Sequence, residues 1–476
     1  MQFHKKQNHE HNLLDTDRIG PLLLKLAAPA FLGMFVQSFY NVINTIFMGH
    51  FVNSLAIAGL SIVFPIQMLV FGTSQLVGMG GASLISRFIG AGNISRAERT
   101  VGNGVSIAIV LGIAVTVIIL PFSEFWLRLI GTSEAVMPYA KPYLIIIMSA
   151  TVFNVFAMAL LVFVRAEGNT RVGMVAMVMG AVLSIILDAI FVIPLKMGVV
   201  GAALATIIAQ FASMAYLLSY YLSGSSYLKI RLPNLRLDFS ILKPLFAIGV
   251  SAFAQTAASS LSSILLLNMV INYGGDAALG AFGIIQRVLM FAGMPGIVFA
   301  QALQPILGYN YGARRYGLAL RSIKLSIGVS TAFTILGFIV LYSIPGPIIR
   351  IFTDDPALID IGTHASRLVF LSLPFMGSMM VGQVIFQAIG KAMKSFIAAI
   401  VRPLVFLIPS VLILSRFWGL DGVFLSFPAS DILTLILVVI LALPVIREFR
   451  KQAAAKQEKQ EPALSGESLA HSRIKG

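Results

Sequence analysis

Apolar runs of roughly 20 residues or more recur about twelve times along this chain, which is the length a helix needs to cross a ~30 Å hydrocarbon layer. Their approximate starts lie near Leu22, Leu55, Val101, Tyr143, Val172, Gly198, Leu245, Ala278, Leu320, Gly362, Phe396 and Gly422. Inside lipid every backbone N–H and C=O has to be satisfied within the segment, and a helix does that alone. The mean hydropathy of +0.91 lies well above what filling a soluble core requires. An all-α polytopic membrane protein of about twelve transmembrane helices follows.

The net charge of +15 is read from its distribution. With the N-terminus taken as cytoplasmic, only Arg128, Lys141, Lys196, Arg350, Arg367 and Arg416 fall on the outer side, and Arg287 and Arg402 lie within apolar runs. The remaining lysines and arginines sit in the tails and in the loops of the N-terminal side, as the positive-inside rule requires. The basic balance therefore sets orientation and contact with anionic lipid, and it calls for no nucleic acid. A multi-pass protein of the bacterial cytoplasmic (inner) membrane with both termini cytoplasmic is expected, retaining its first apolar run as a helix because that run is too long for a cleavable signal. Zero cysteines exclude a disulfide framework, a thiolate metal site and thiol catalysis.

The chain divides into a polar tail (1–18), a first lobe (19–223, helices 1–6), a basic linker (224–243), a second lobe (244–449, helices 7–12) and a polar tail (450–476). Both tails are expected to be disordered and cytoplasmic, His4, His9 and His11 included, with no metal site. The two lobes are a repeat. Sliding the chain by 222 positions pairs Gly90 with Gly312, Ala91 with Ala313, Arg128 with Arg350, Ala166 with Ala388 and Gly168 with Gly390. Six helices per half bring both halves in from the same side, so the repeats are parallel and face one another across a cavity, the plan of a transporter.

The polar motifs carry a family resemblance. "YNVINTIFMGH" in helix 1, "VRAEGNTR" after helix 4, "SIILDAIFV" in helix 5, "GVVGAALATIIAQ" in helix 6, "AFGIIQRVLMF" and "QALQPILGYNYGARRYG" resemble the multidrug and toxic compound extrusion (MATE) transporters, in their MepA-like bacterial branch, over about residues 20 to 450. The resemblance implies two pseudo-symmetric six-helix lobes in a V, and alternating access that exchanges H⁺ or Na⁺ for bulky, amphipathic, often cationic compounds. A lipid-linked precursor flippase of the same superfamily is the alternative; it would favour a strongly cationic cavity, and cationic residues within the spans are few.

A carboxylate within a bilayer costs at least a few kcal/mol unless paired, hydrated or protonated. Asp188 and Asp431 are the two acids inside apolar runs. Asp188 matches the helix-5 aspartate of the family's N-lobe cation site, Thr206 matches a ligand of that site, and Asn154 is close to a further polar member. Where the family commonly has an acid in helix 1 this chain has Asn44, and Ser184 stands where Asn is common. Asn44 cannot ionise, so one carboxyl replaces two, which favours H⁺ over Na⁺ as the coupling ion at Asp188. In the C-lobe, Arg402 in helix 11 is expected to partner Asp431 in helix 12, as a structural pair or in coupling or substrate binding. Gln301, Gln304 and Asn268 are further polar candidates there.

Met34, Phe35, Gln37, Tyr40, Phe64, Met290 and Met294 are the candidates for lining a substrate cavity, since methionine and aromatic surfaces adapt to varied shapes and attract cations. No paired Asp-rich motif, HExxH or Ser/His arrangement lies at membrane depth. The expectation is thus an exporter and not an enzyme, acting without a cofactor, as a monomer among membrane lipids.

Overall fold

The computed structural model describes residues 13–51 and 54–473. Among these there is no strand. The first lobe comprises α1 (Ile19–Phe51), α2 (Ser54–Gly90), α3 (Ile94–Ile119), the short α4 (Ser123–Ile130), α5 (Met137–Ser149), α6 (Thr151–Ala166), α7 (Thr170–Val192) and α8 (Gly198–Leu222). A 3-10 turn at Leu232–Leu235 interrupts the linker. The second lobe holds α9 (Phe239–Gly312), α10 (Tyr316–Ser343), the short α11 (Pro345–Arg350), α12 (Pro356–Phe370), α13 (Leu373–Ala388), α14 (Ala392–Ile400), a π-helical segment (Val401–Leu407) and α15 (Ile408–Arg473).

Among the described residues eight helices are long and apolar enough to cross a membrane, and the bent pairs α5–α6 and α12–α13 raise the number to ten. Two of the longest, α9 and α15, leave helical geometry at Gly275 (φ 65°) and Gly419 (φ 56°), and each limb of α9 and of the α14–α15 stretch is itself long enough to cross. Twelve spans result, in agreement with the pattern of apolar runs. Large side chains such as Val117, Leu222, Leu336 and Ile440 stay more than half exposed along them, the surface a lipid-facing helix presents.

The 222-residue repeat is visible in the backbone. Gly168 and Gly390 both take a left-handed φ (92° and 78°) after the fourth span of their lobe, and Gly92 (φ 72°) is matched by Arg314 (φ 56°) after the second. The fourth span is bent in each lobe, by 55° between α5 and α6 and by 47° between α12 and α13.

One close approach between the lobes lies near the end where the linker runs. There α2 crosses the second limb of α9 with no side chain between them: a Cβ on Gly90 would overlap the Tyr309 carbonyl oxygen, and one on Gly312 would overlap the Arg87 carbonyl oxygen. Positions 90 and 312, like 87 and 309, are related by the repeat, so the crossing is reciprocal about the pseudo-two-fold axis. Ser83 Oγ adds a hydrogen bond to the Gln387 carbonyl oxygen of α13. Farther along the lobes, Gly72 meets the Phe253 ring and Phe35 meets Phe291 edge-on at 6.4 Å.

Two segments outside the spans differ from expectation. Of the N-terminal tail, residues 13–18 are described, and Leu14 is fully buried against the turn at Gly168; the histidines at 4, 9 and 11 lie outside the described residues. At the other end α15 continues as helix to Arg473, where a polar composition suggested disorder. Its Ala, Lys, Glu and Gln are strong helix formers that extend a helix already nucleated in the last span.

The linker is pinned to the first lobe. Asn103 Nδ2 on α3 donates to the carbonyls of Asn234 and Arg236, both at 3.1 Å, and Asn103 Oδ1 accepts the Asp238 N–H at 2.7 Å. Glu167, the residue after α6, is 7% exposed and accepts from Ser226 Oγ at 2.6 Å. Burial pushes the Glu167 carboxyl up to about 7, against the opposing pull of the Ser226 hydrogen bond. A carboxyl raised in the folded state lends stability that is present at acid pH and lost as pH rises through about 7. Amide-exchange protection of residues 224–238 is therefore expected to fall from about pH 4.5 to about pH 7 in the wild type, and to stay level in Glu167→Gln. An equal fall in both would remove Glu167 as its source.

Candidate functional site

The N-lobe site is built from pairs of residues spaced i,i+4, which project from one face of a helix. Helix α1 supplies Tyr40 and Asn44, α7 supplies Ser184 and Asp188, and α8 adds Thr206. Thr206 Oγ1 donates to its own Ala202 carbonyl at 2.9 Å, leaving its oxygen to accept the Tyr40 hydroxyl at 3.3 Å. The Tyr40 hydroxyl in turn accepts from Ser184 Oγ at 3.0 Å and from Asn44 Nδ2 at 3.3 Å. Asn44 Nδ2 also donates to Asp188 Oδ2 at 2.9 Å.

Asp188 is 0% exposed, and its Oδ1 has no hydrogen-bond partner. A buried carboxylate is normally satisfied by several donors, and one left with a single amide donor is electrically incomplete. The incomplete oxygen is a seat for a proton or for a cation. A proton needs only that lone pair, whereas a metal ion needs several oxygens converging on one point. Among the described residues no group of three or more His, Asp or Glu side chains is placed to hold a metal.

The structure gathers four of the five expected coupling residues, Asp188, Asn44, Ser184 and Thr206, through a hub that sequence reasoning put elsewhere. Tyr40, expected as cavity wall, is buried at the centre of the network. Its signal was its place one turn before Asn44. Asn154, half-buried on α6, hydrogen-bonds to none of the cluster.

In the C-lobe, Arg402 on the π-helical segment donates from Nε to Asp431 Oδ1 at 2.5 Å. Gln301 accepts from Arg165 Nη1 at 2.9 Å, a bond that joins α6 of one lobe to α9 of the other. Arg165 was counted as a loop cation from sequence; its place in the last turn of an apolar helix, within "VRAEGNTR", was the available sign. Gln304 is buried with Nε2 unpartnered, and Asn268 is exposed.

Among the expected cavity residues, Phe35, Phe64 and Met290 are exposed and Met34 and Gln37 half-buried. Met294 is 2% exposed and packs inside the protein, so it is not a wall residue. Phe31 and Phe291 were missed: Phe31 stacks on Phe35 at 6.3 Å, and Phe35 meets Phe291 across the lobes, an aromatic cluster that bridges the faces of α1 and α9. Aromatic residues abound in apolar runs, and sequence has no marker for the few that meet.

The MatE family model matches twice, over residues 29–190 and 251–412, two stretches offset by the same 222 positions as the internal repeat. The multidrug export protein MepA of Staphylococcus aureus (strain MRSA252) is 25% identical over 411 residues, covering 86% of this chain and 90% of that protein. An outward-facing multidrug resistance MATE family transporter of the MOP superfamily superposes with a TM-score of 0.88 at 24% identity, over 93% of this chain and 98% of that one. A solved chain called protein A reaches 37% identity and a TM-score of 0.86 over 91% of this chain and 97% of its own. With the family model covering both lobes, and the twelve-span, two-lobe fold shared with solved transporters, this chain belongs to the MatE family.

Proposed function

We propose that this protein is a secondary active multidrug exporter that exchanges amphipathic, often cationic compounds for H⁺ by alternating access, seated in a bacterial inner membrane with the linker and both termini on the cytoplasmic side. The observation that carries this reading is the buried, half-satisfied Asp188 of a three-helix polar cluster in a MatE-family chain. MepA, by its name a multidrug export protein, supplies the substrate class. H⁺ is preferred to Na⁺ because Asn44 gives Asp188 a donor where a second carboxylate would give a cation another negative oxygen.

Coupling requires ion and drug to favour opposite states, since a ligand bound equally in both shifts nothing. Asp188 supplies the ion's preference through α1, α7 and α8, while the glycine crossing of α2 and α9 closes one side of the path. Phe31, Phe35, Phe64, Phe291 and Met290 offer rings and a thioether to an apolar cation. Cytoplasmic placement of the linker rests on its surplus of lysine and arginine.

Two measurements test the reading. In inside-out vesicles under separately imposed pH and Na⁺ gradients, the wild type is expected to accumulate an organic cation with the pH gradient alone. Asp188→Asn is expected to lower that uptake at least tenfold while membrane insertion persists, and wild-type uptake by this variant would remove Asp188 from coupling. The gate is probed in the naturally cysteine-free chain with cysteines at Ser83 and Gln387. They are expected to cross-link in the wild-type background and several-fold less once Gly90→Val or Gly312→Val separates the crossing; undiminished cross-linking would show that the crossing does not hold the lobes together.

A further inference from the structure

Arg402 and Asp431 are paired, yet the pair is not closed on itself. A guanidinium carries five N–H donors in a fork that suits a carboxylate side-on. Here only Nε is engaged, with Asp431 Oδ1. The two terminal nitrogens, which hold the other four donors, make no hydrogen bond to the described residues, and the Arg402 side chain is 25% exposed while that of Asp431 is 0%. Asp431 Oδ2 is likewise without a partner. Asp431 Oδ2 is thus a buried oxygen left unsatisfied, while the terminal nitrogens of Arg402 are not buried and stand open to a group that completes the fork.

The backbone holds this guanidinium in place. Arg402 stands on the π-helical segment Val401–Leu407, beside Pro403, whose missing N–H is consistent with a widened turn. Ser262 Oγ on α9 donates to the Pro403 carbonyl at 2.7 Å and ties the segment to the first span of the lobe. Ser262, Arg402 and Asp431 thus come from spans seven, eleven and twelve. The Asp188 cluster comes from spans one, five and six, which are their counterparts under the repeat. Corresponding helices of the two lobes carry an acid-centred site in one case and an arginine-headed site in the other.

We propose that Arg402 is an acid-recognition site, in which its two terminal nitrogens receive the carboxylate of a zwitterionic amphipathic substrate. This deepens the efflux reading and rests on it. Charge decides the class. With Asp431 already neutralising Arg402, a simple anion would leave a net negative charge at membrane depth, which is costly. A zwitterion brings its own cation, and the assembly of guanidinium, Asp431, carboxylate and ammonium sums to zero. A phosphate monoester, carrying close to two charges, would not be balanced in this way.

A matched pair of dyes tests it: a rhodamine with a free carboxylate, zwitterionic at neutral pH, and its ethyl ester, a cation of nearly the same shape. Binding is read by fluorescence anisotropy on purified protein in nanodiscs of zwitterionic lipid. Replacing both charges together, Arg402→Gln with Asp431→Asn, avoids stranding either one. The double variant is expected to bind the carboxylate dye at least tenfold more weakly and the ester within twofold of wild type. Arg402→Lys, with Asp431 kept, is expected to lose several-fold for the carboxylate dye alone, because an ammonium cannot offer the fork; it carries the same discrimination if the double variant does not fold. Equal losses for both dyes, or none, in either variant that folds would overturn the proposal, as would displacement of the carboxylate dye from wild type by phosphatidylglycerol. Failure of the wild type to export even the ester in vesicles would count against the efflux reading itself, a separate result.

Discussion

Where the two lobes cross there is backbone against backbone, and the rest of the architecture depends on that approach. Helix–helix association in lipid gains nothing from expelling water, so it relies on close packing, which small residues permit. At Gly90 and Gly312 the packing is reciprocal, each glycine admitting a carbonyl oxygen from the other helix. Around the glycines, Phe299, Ile306 and Tyr309 of α9 join the hydrophobic core of the first lobe, so apolar side chains surround the backbone contact. Among the described residues, the polar bonds nearby that join the two halves include Ser83 to Gln387, Arg165 to Gln301 and Arg315 to Asp15.

The same lipid constraint explains why so few charges lie deep in the spans and why Asp188, Arg402 and Arg165 have partners. Asp188 has an amide, Arg402 has Asp431, and Arg165 has Gln301. Each nevertheless keeps something in reserve: Asp188 Oδ1, Asp431 Oδ2 and Arg165 Nε are buried without hydrogen bonds. Complete satisfaction would make these groups rigid and inert. Partial satisfaction lets a small ligand change the energy of the site, and only such a differential contact can move a conformational equilibrium.

Most of the fold was legible in the sequence because the bilayer converts length into topology. Spans could be counted from apolar runs, and the parallel repeat from one constant offset, since Gly168 and Gly390 mark the same left-handed turn in each lobe. Asp188 stood out because a carboxyl in an apolar run has no other reason to be there. What stayed hidden was the meaning of residues whose types are common within membranes. Tyr40 reads as one more aromatic until its hydroxyl is found between Ser184, Asn44 and Thr206. Met294 has the composition of a cavity wall and the position of a core residue. Gly90 and Gly312 read only as a pair of the repeat, because sequence shows which residue lacks a side chain and not which neighbour fills its place.

Substrate charge finally decides how the driving force is used. A monovalent cation moved outward against an inside-negative potential costs about 2.3 kcal/mol per 100 mV, and a proton returning inward releases the same amount. One-for-one exchange of these two is electroneutral, and each unit of pH gradient then supplies about 1.4 kcal/mol, or about tenfold accumulation. A zwitterion leaving against one proton moves a net positive charge inward, so the membrane potential adds to the pH gradient. With Asp188 as the single exchanging carboxyl in the first lobe and Arg402 completing its fork with a substrate acid in the second, one transporter would draw on different parts of the proton-motive force for different passengers. Its selectivity among amphipaths would then be set as much by the charge they carry across as by the shape they present to the aromatic walls.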